Sequence, residues 1–371
     1  MDVVIKGFLI YQMTGSAANL GIVTMAAGIP LILGSIFGGI VADRVDRMKL
    51  LLVTQAVAMS LATVMTILLA TEVIQFWHFI VLAALGGTTL AFVAPLRQSV
   101  IARLVTPNHL MSAVALSSAS FNIMGILGPA AVGLLLAFIP PYEAYLVIVI
   151  CFLIGAVMLA FIRIPRDNSL AAGPFHLELA EGFRFILNNR PILGLLLVAL
   201  VSSLFIIPNS LLMPALASAV LKVDQVGFGF LCAARGVGAL TGSLVTASLN
   251  QARNKGLLVL VFLAIYGILS ALSAQFQVYP LALLLVLGAG LTGTVFITLC
   301  NTLILTNTPA KMHGRIISIY TMAVGLTPIG TLPMGAAADG IGLPATFLIA
   351  GAIAVVFAVI MWLSIPSMRK V

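Results

Sequence analysis

The chain has 371 residues, 62% of them hydrophobic and 8% charged, with a formal net charge of +8 and a mean hydropathy of +1.22. A soluble domain carries about 25% charged residues, so this composition excludes a water-soluble fold and describes an all-α integral membrane protein with little mass outside the bilayer. It also excludes a nucleic-acid surface, because the eighteen Lys and Arg are scattered over short segments between apolar runs, as bilayer topology demands.

An α-helix crosses the hydrocarbon with about 20 residues. Asp2 to Met13 is apolar but too short to cross alone. It reads as the outer half of a first helix that ends in the turn Thr14-Gly15-Ser16, and implies a misassigned start or a fragment. Apolar runs of full length follow at Leu20–Ala42, Leu50–Ala70, Phe76–Arg97, Ala113–Phe138 and Tyr145–Ile162, then at Ile192–Val220, Val226–Ser248, Leu257–Ala274, Leu281–Leu303, Ile316–Ala337 and Pro344–Ile365. The expectation is eleven full transmembrane helices plus a partial first one. Residues 1–162 form an N-terminal bundle and residues 191–371 a C-terminal bundle. Between them, residues 163–190 form a cytoplasmic linker in which Phe175, Leu177, Leu179 and Phe183 alternate with charges, the pattern of a short surface helix.

If the segment holding Arg44 is cytoplasmic, fifteen of the eighteen cations fall on that side, and the C-terminus lies there too. Glu72, Glu143, Asp224 and Asp339 fall on the other side. Cys151, Cys232 and Cys300 sit inside apolar runs and the four histidines are scattered singly, so neither a disulfide framework nor a metal site is expected. No Gly-Lys-Ser/Thr phosphate loop and no nucleophile–base arrangement occurs. The expectation is therefore a protein that is not an enzyme, carries no cofactor and draws its energy from a gradient.

The most distinctive stretch runs from Gly34 to Lys49. Gly34 and Gly38 are four apart, on one helix face, where they admit close packing. Asp43 stands where the apolar run stops, followed by Arg44, Arg47 and Lys49. The pattern resembles the loop between the second and third helices of the major facilitator superfamily, whose form is Gly-x-x-x-Asp-Arg-x-Gly-Arg-Arg. Gly39, Asp43, Arg44 and Arg47 match it; Asp46 replaces a glycine, and Met48 replaces the last basic residue, with Lys49 one place later. Gly125-Ile-Leu-Gly128-Pro129-Ala-Ala-Val-Gly133 resembles the Gly-Pro-x-x-Gly-Gly motif of the superfamily's export branches, with Val132 in place of one glycine. Thr14-Gly15-Ser16 and Pro95-Leu-Arg97-Gln98 resemble the branch holding the enterobactin exporter and the macrolide efflux pumps.

The resemblance implies a major facilitator fold of two six-helix bundles in the bacterial cytoplasmic (inner) membrane, acting as a monomer. It implies a proton-coupled exporter of a small organic molecule, such as a siderophore, a drug or another amphipathic compound, working by alternating access. Protons, the cargo and the lipid bilayer are then its partners. An uptake symporter and a truncated, non-transporting remnant are the alternatives. Asp43 is expected at the start of helix 11 near Arg315, as a gating contact.

Two internal signals accompany this. Gly128 and Gly133 recur as Gly330 and Gly335 at an offset of 202, and Gly34 and Gly38 as Gly238 and Gly242 at 204, which suggests a duplicated six-helix unit. Asp2, Lys6 and Arg235 are charges inside apolar runs, and Arg97 ends one. A charge at the bilayer centre costs at least ~2.5–3.5 kcal/mol on insertion scales, so these residues are candidates for proton coupling or cavity contacts, with Asp2 expected to meet Arg235 across the two halves. Asn122, Asn209 and Asn301 are candidate polar cavity residues.

Overall fold

The computed structural model describes residues 2–44, 47–104, 110–161, 184–249, 252, 254–309 and 312–365. The first half contains α1 (Asp2–Thr14), α2 (Ala17–Arg44), α3 (Arg47–Ala70), α4 (Phe76–Leu104), α5 (Leu110–Phe138) and α6 (Pro141–Ala160). The second half contains α7 (Arg190–Phe205), α8 (Gln225–Ser248), α9 (Lys255–Ser273), α10 (Tyr279–Thr306), α11 (His313–Gly325), α12 (Thr327–Ile341) and α13 (Leu343–Ser364). Among the described residues, nine helices are long and apolar enough to cross a membrane. The described part of each apolar run read from the sequence is predominantly helical. The proposed linker helix falls on residues 162–183, outside the described residues, apart from a helical turn at 184–188.

Two runs read as single spans are interrupted, each time at prolines. After Phe205 the chain proceeds through Pro208–Leu211, Met213–Ala215 and a π-turn at Leu216–Val220. Pro208 and Pro214 have no N–H to continue the helical ladder, and Ile206 and Ile207 both donate to the Ser202 carbonyl instead. The second break, at Leu326, separates α11 from α12. Pro328 cannot donate to the Val324 carbonyl, and the Thr327 hydroxyl donates to it instead, at 2.7 Å. Hydropathy stays high through both prolines, so it carries no sign of either break.

The two halves repeat one packing plan. α2 packs on α4 and, equivalently, α8 on α10. Gly34 faces the Ala91 methyl on α4, while Gly238 and Gly242 face the backbone of Leu287 and Leu291 on α10. The halves meet along two seams, α2 against α12 and α5 against α8.

Buried apolar side chains form one cluster that crosses from half to half: Phe8, Leu20 and Leu136 from the first, Phe228, Leu231 and Met334 from the second. All belong near the end of the molecule that carries Glu72, Glu143, Asp224 and Asp339, called here the acidic end. Toward the opposite, basic end the buried clusters found among the described residues each stay within one half: Leu51, Leu96 and Val100 in the first, and Ile192, Leu260, Leu303 and Ile316 in the second.

Candidate functional site

The acidic end is stitched together by side chains that reach across helices. At the α2/α12 seam, Asp339 in the last turn of α12 accepts three hydrogen bonds from the start of α2. They come from the Ser16 hydroxyl (2.6 Å), the Ala17 N–H (2.8 Å) and the Ala18 N–H (3.0 Å). The first amides of any helix lack intrahelical partners and present partial positive charge, so a carboxylate from the other half supplies the cap that α2 needs. Gly15, at φ +63°, makes the turn that aims these amides at Asp339. Burial works to raise the Asp339 pKa, but the bonds from Ser16, Ala18 and Ala17 outweigh it and hold the carboxyl below its ordinary value of 3.8. The backbones must come close for this. A methyl at Gly335 would strike the Ala17 carbonyl, and one at Gly21 would sit 3.1 Å from the Thr331 carbonyl oxygen.

At the α5/α8 seam the polarity is reversed. The Gln225 amide donates to the Leu136 carbonyl (2.6 Å) and the Ile139 carbonyl (3.3 Å), groups that the end of α5 leaves without helical donors. Gly133 lies against the Gly229 carbonyl and the Cys232 side chain of α8. Further bonds tie neighbouring connections to the same end: Tyr279 to the Gly227 carbonyl (2.9 Å) and Gln275 to the Pro344 carbonyl (2.8 Å).

α1 sits between the halves at this end. Phe8 stacks on Phe228 with ring centroids 5.0 Å apart, and Ile5, Phe8, Leu9 and Ile10 are buried. Asp2 does not meet Arg235 as expected. Its carboxylate pairs with Lys6 at 2.9 Å, one turn along the same helix, and accepts a hydrogen bond from the buried Tyr145 hydroxyl at 2.9 Å. A partner one turn away is always within reach, whereas Arg235 faces the interior of the second half.

There Arg235 lines a cavity of about 20 Å³ with Asn209, Tyr266, Ser270 and Ser273. Asn209 is buried; its Nδ2 donates to Ser270 at 2.9 Å and its Oδ1 has no hydrogen-bond partner among the described residues. Asn301 on α10 also holds an unpartnered buried oxygen. Arg97 is half-buried near the basic end of α4, Lys49 is exposed, Gly128 is buried, and Gly125 is exposed with open space beside it. The side chains of Asp43, Arg44, Arg47, Arg315, Asn122 and Pro129, and the surroundings of Gly38 and Gly39, lie outside the described residues. The Asp43–Arg315 contact therefore stays an expectation. Sequence reasoning missed Asp339, Ser16 and Gln225 as site residues. For Asp339 and Gln225 the signal was a polar residue at the edge of an apolar run; Ser16 also stood in the Thr14-Gly15-Ser16 turn.

The chain matches the family described as "Transmembrane secretion effector" over residues 1–370. It is 24% identical to the multidrug efflux pump Tap of Mycolicibacterium fortuitum, over 92% of this chain and 86% of that protein. It is 29% identical to the enterobactin exporter EntS of Escherichia coli O1:K1, over 90% and 83%. Among solved structures, the nucleoside transporter NupG superposes with a TM-score of 0.75 at 12% identity, covering 98% of this chain and 94% of that one. A D-xylose–proton symporter also gives 0.75, at 14% identity and 100% and 98% coverage. At such identities the structural likeness speaks for the fold, which is the major facilitator fold. With its duplicated helical halves, its glycine-lined seams and a family match that runs almost end to end, the chain belongs to the transmembrane secretion effector family of the major facilitator superfamily.

Proposed function

We propose that the protein exports a small organic molecule across the bacterial cytoplasmic membrane in exchange for protons. It works as a monomer by alternating access, with the acidic end outward and the C-terminus inside. The observation that carries this reading is the joining of the two halves at the acidic end. At the acidic end a shared apolar cluster and the two polar seams join them, while the clusters found among the described residues near the basic end each belong to one half. That is the arrangement of a transporter closed on one face, and rocking of one bundle against the other exchanges the closed face. The excess of cations at the basic end supports a cytoplasmic position for it.

The relatives support this cargo class: they include an enterobactin exporter, a macrolide efflux protein and a staphyloferrin A transporter. Asp339 is an unsuitable proton carrier, since hydrogen bonding favours its ionised form, which leaves proton coupling to Asp2 or another membrane-embedded group. The test uses everted vesicles carrying the protein, energised to an acidic interior and offered enterobactin, erythromycin and staphyloferrin A. Export predicts that a compound is accumulated and released when a protonophore collapses the gradient. Gradient-driven depletion of a preloaded compound would instead establish uptake.

A further inference from the structure

We propose that Arg235, together with the broken stretch after α7, forms a binding site for one small inorganic monoanion of halide size, lined by residues of the second half. Arg235 lies eleven residues past Asp224, about 16 Å along α8 by the 1.5 Å helical rise, where an uncompensated guanidinium is costly. Among the described residues no carboxylate pairs with it. Residues 191–371 contain two acids, Asp224 and Asp339. Asp224 caps α8 by accepting from the Gly227 N–H at 2.9 Å, and Asp339 caps α2. Asp2, the acid inside an apolar run of the first half, is already paired with Lys6.

The cavity beside Arg235 matches such an ion in size. Its volume of about 20 Å³ suits a single water-sized particle, which needs roughly 10–15 Å³ by this measure. The lining is rich in donors. Arg235 has five N–H groups. The Tyr266 hydroxyl has no partner among the described hydrogen bonds. Ser273 is engaged with the Ser270 carbonyl at 2.7 Å, but the Ser270 oxygen accepts from Asn209 and keeps its own proton to give. Asn209 is the key residue, being more than nine-tenths buried with an orphaned Oδ1. Exchanging the two ends of its amide lets Ser270 donate to Oδ1 and turns the NH₂ toward the cavity, so that an anion meets donors alone. A water molecule in the same place would satisfy the amide but leave the guanidinium charge uncompensated.

Asn209 and Met213, both in the lining, belong to the proline-broken stretch between α7 and α8. Interrupted helices are where membrane transporters place ion sites.

The test is ³⁵Cl line broadening by the purified protein in detergent, with chloride as the probe. The wild type should broaden the signal in excess of an equal mass of detergent, and nitrate should reverse it. Asn209→Asp keeps the shape and adds an internal counter-ion beside Arg235. It should reduce chloride binding by about tenfold or more, the scale of one lost charge-assisted contact, and make the melting temperature independent of chloride. Arg235→Gln should lose binding to the same extent. Because Arg235 stays in place in Asn209→Asp, that variant keeps the test decisive even if Arg235→Gln fails to fold. Wild-type broadening no greater than the detergent blank, or equal broadening in Asn209→Asp, would overturn the proposal. The readout is binding, so it stands apart from the direction of transport.

Discussion

The two seams between the halves occupy equivalent places in a duplicated fold, yet they close by opposite chemistry. At α2/α12 an ionised carboxylate at the end of one helix caps the amides that begin another. At α5/α8 a neutral amide at the beginning of one helix serves the carbonyls that end another. The sequence repeat shows how far the equivalence goes, since Gly133 and Gly335, 202 residues apart, each admit the partner backbone at its own seam. Sterically the seams are copies; electrostatically they are complements. Duplication preserved the close approach, where any side chain would clash, and left free the choice of which polar group completes the helix ends. The consequence is that charge should act on one seam and bulk on both.

The largest effects should therefore come from bulk. Gly335→Leu and Gly133→Leu each place a side chain where backbone now stands, so both should reduce transport by more than about tenfold with insertion intact, since overpacking costs about 1–3 kcal/mol or more. Full activity in one of them would show that the seams are not steric equivalents. Charge comes next. Asp339→Asn leaves a weaker cap on α2 and should favour opening of the acidic end by roughly tenfold, from about 1–2 kcal/mol. Gln225→Leu removes neutral bonds worth about 0.5–1.5 kcal/mol, so its shift should be smaller, about threefold. A Gln225→Leu effect exceeding that of Asp339→Asn would break the comparison.

At the opposite end, Asp43→Asn should slow transport while membrane insertion remains normal, as expected from the match to the family loop; an unchanged rate would remove Asp43 from gating. The smallest effect is that of pH on the α2/α12 seam. A carboxyl whose pKa is lowered by its partners contributes stability that is complete above its ordinary value of 3.8 and lost only as pH falls through the lowered one. Closure at this seam should thus be flat between about pH 5 and pH 8, measured by solvent accessibility of a cysteine placed at Asn19. A marked opening toward pH 5 would contradict it.

Much of the fold was legible in the sequence because hydropathy directly reports length in the bilayer. The runs at Leu50–Ala70 and Phe76–Arg97 correspond to α3 and α4 with ends displaced by no more than about two turns. The breaks after Phe205 and at Leu326 were not legible, because apolar residues continue through them and membrane helices commonly contain proline. The site was legible only in part. Asp2, Lys6 and Arg235 stand out as charges in apolar runs, but their partners depend on helix orientation, which composition does not encode. Asp339 looked like an ordinary acid at a helix end. Its partner, Ser16, is 323 residues away, and a contact across that separation arises only once two halves are packed.

In the proposed cycle the acidic end opens when Asp339 lets go of the start of α2. The most direct measurement is the distance between spin labels at Asn19 on α2 and Gly340 on α12, in protein with Cys151, Cys232 and Cys300 replaced, reconstituted in nanodiscs. The account predicts a short and a long population, with Asp339→Asn moving weight to the long one. A single short distance, unchanged by Asp339→Asn and by a tenfold excess of any transported compound, would contradict it.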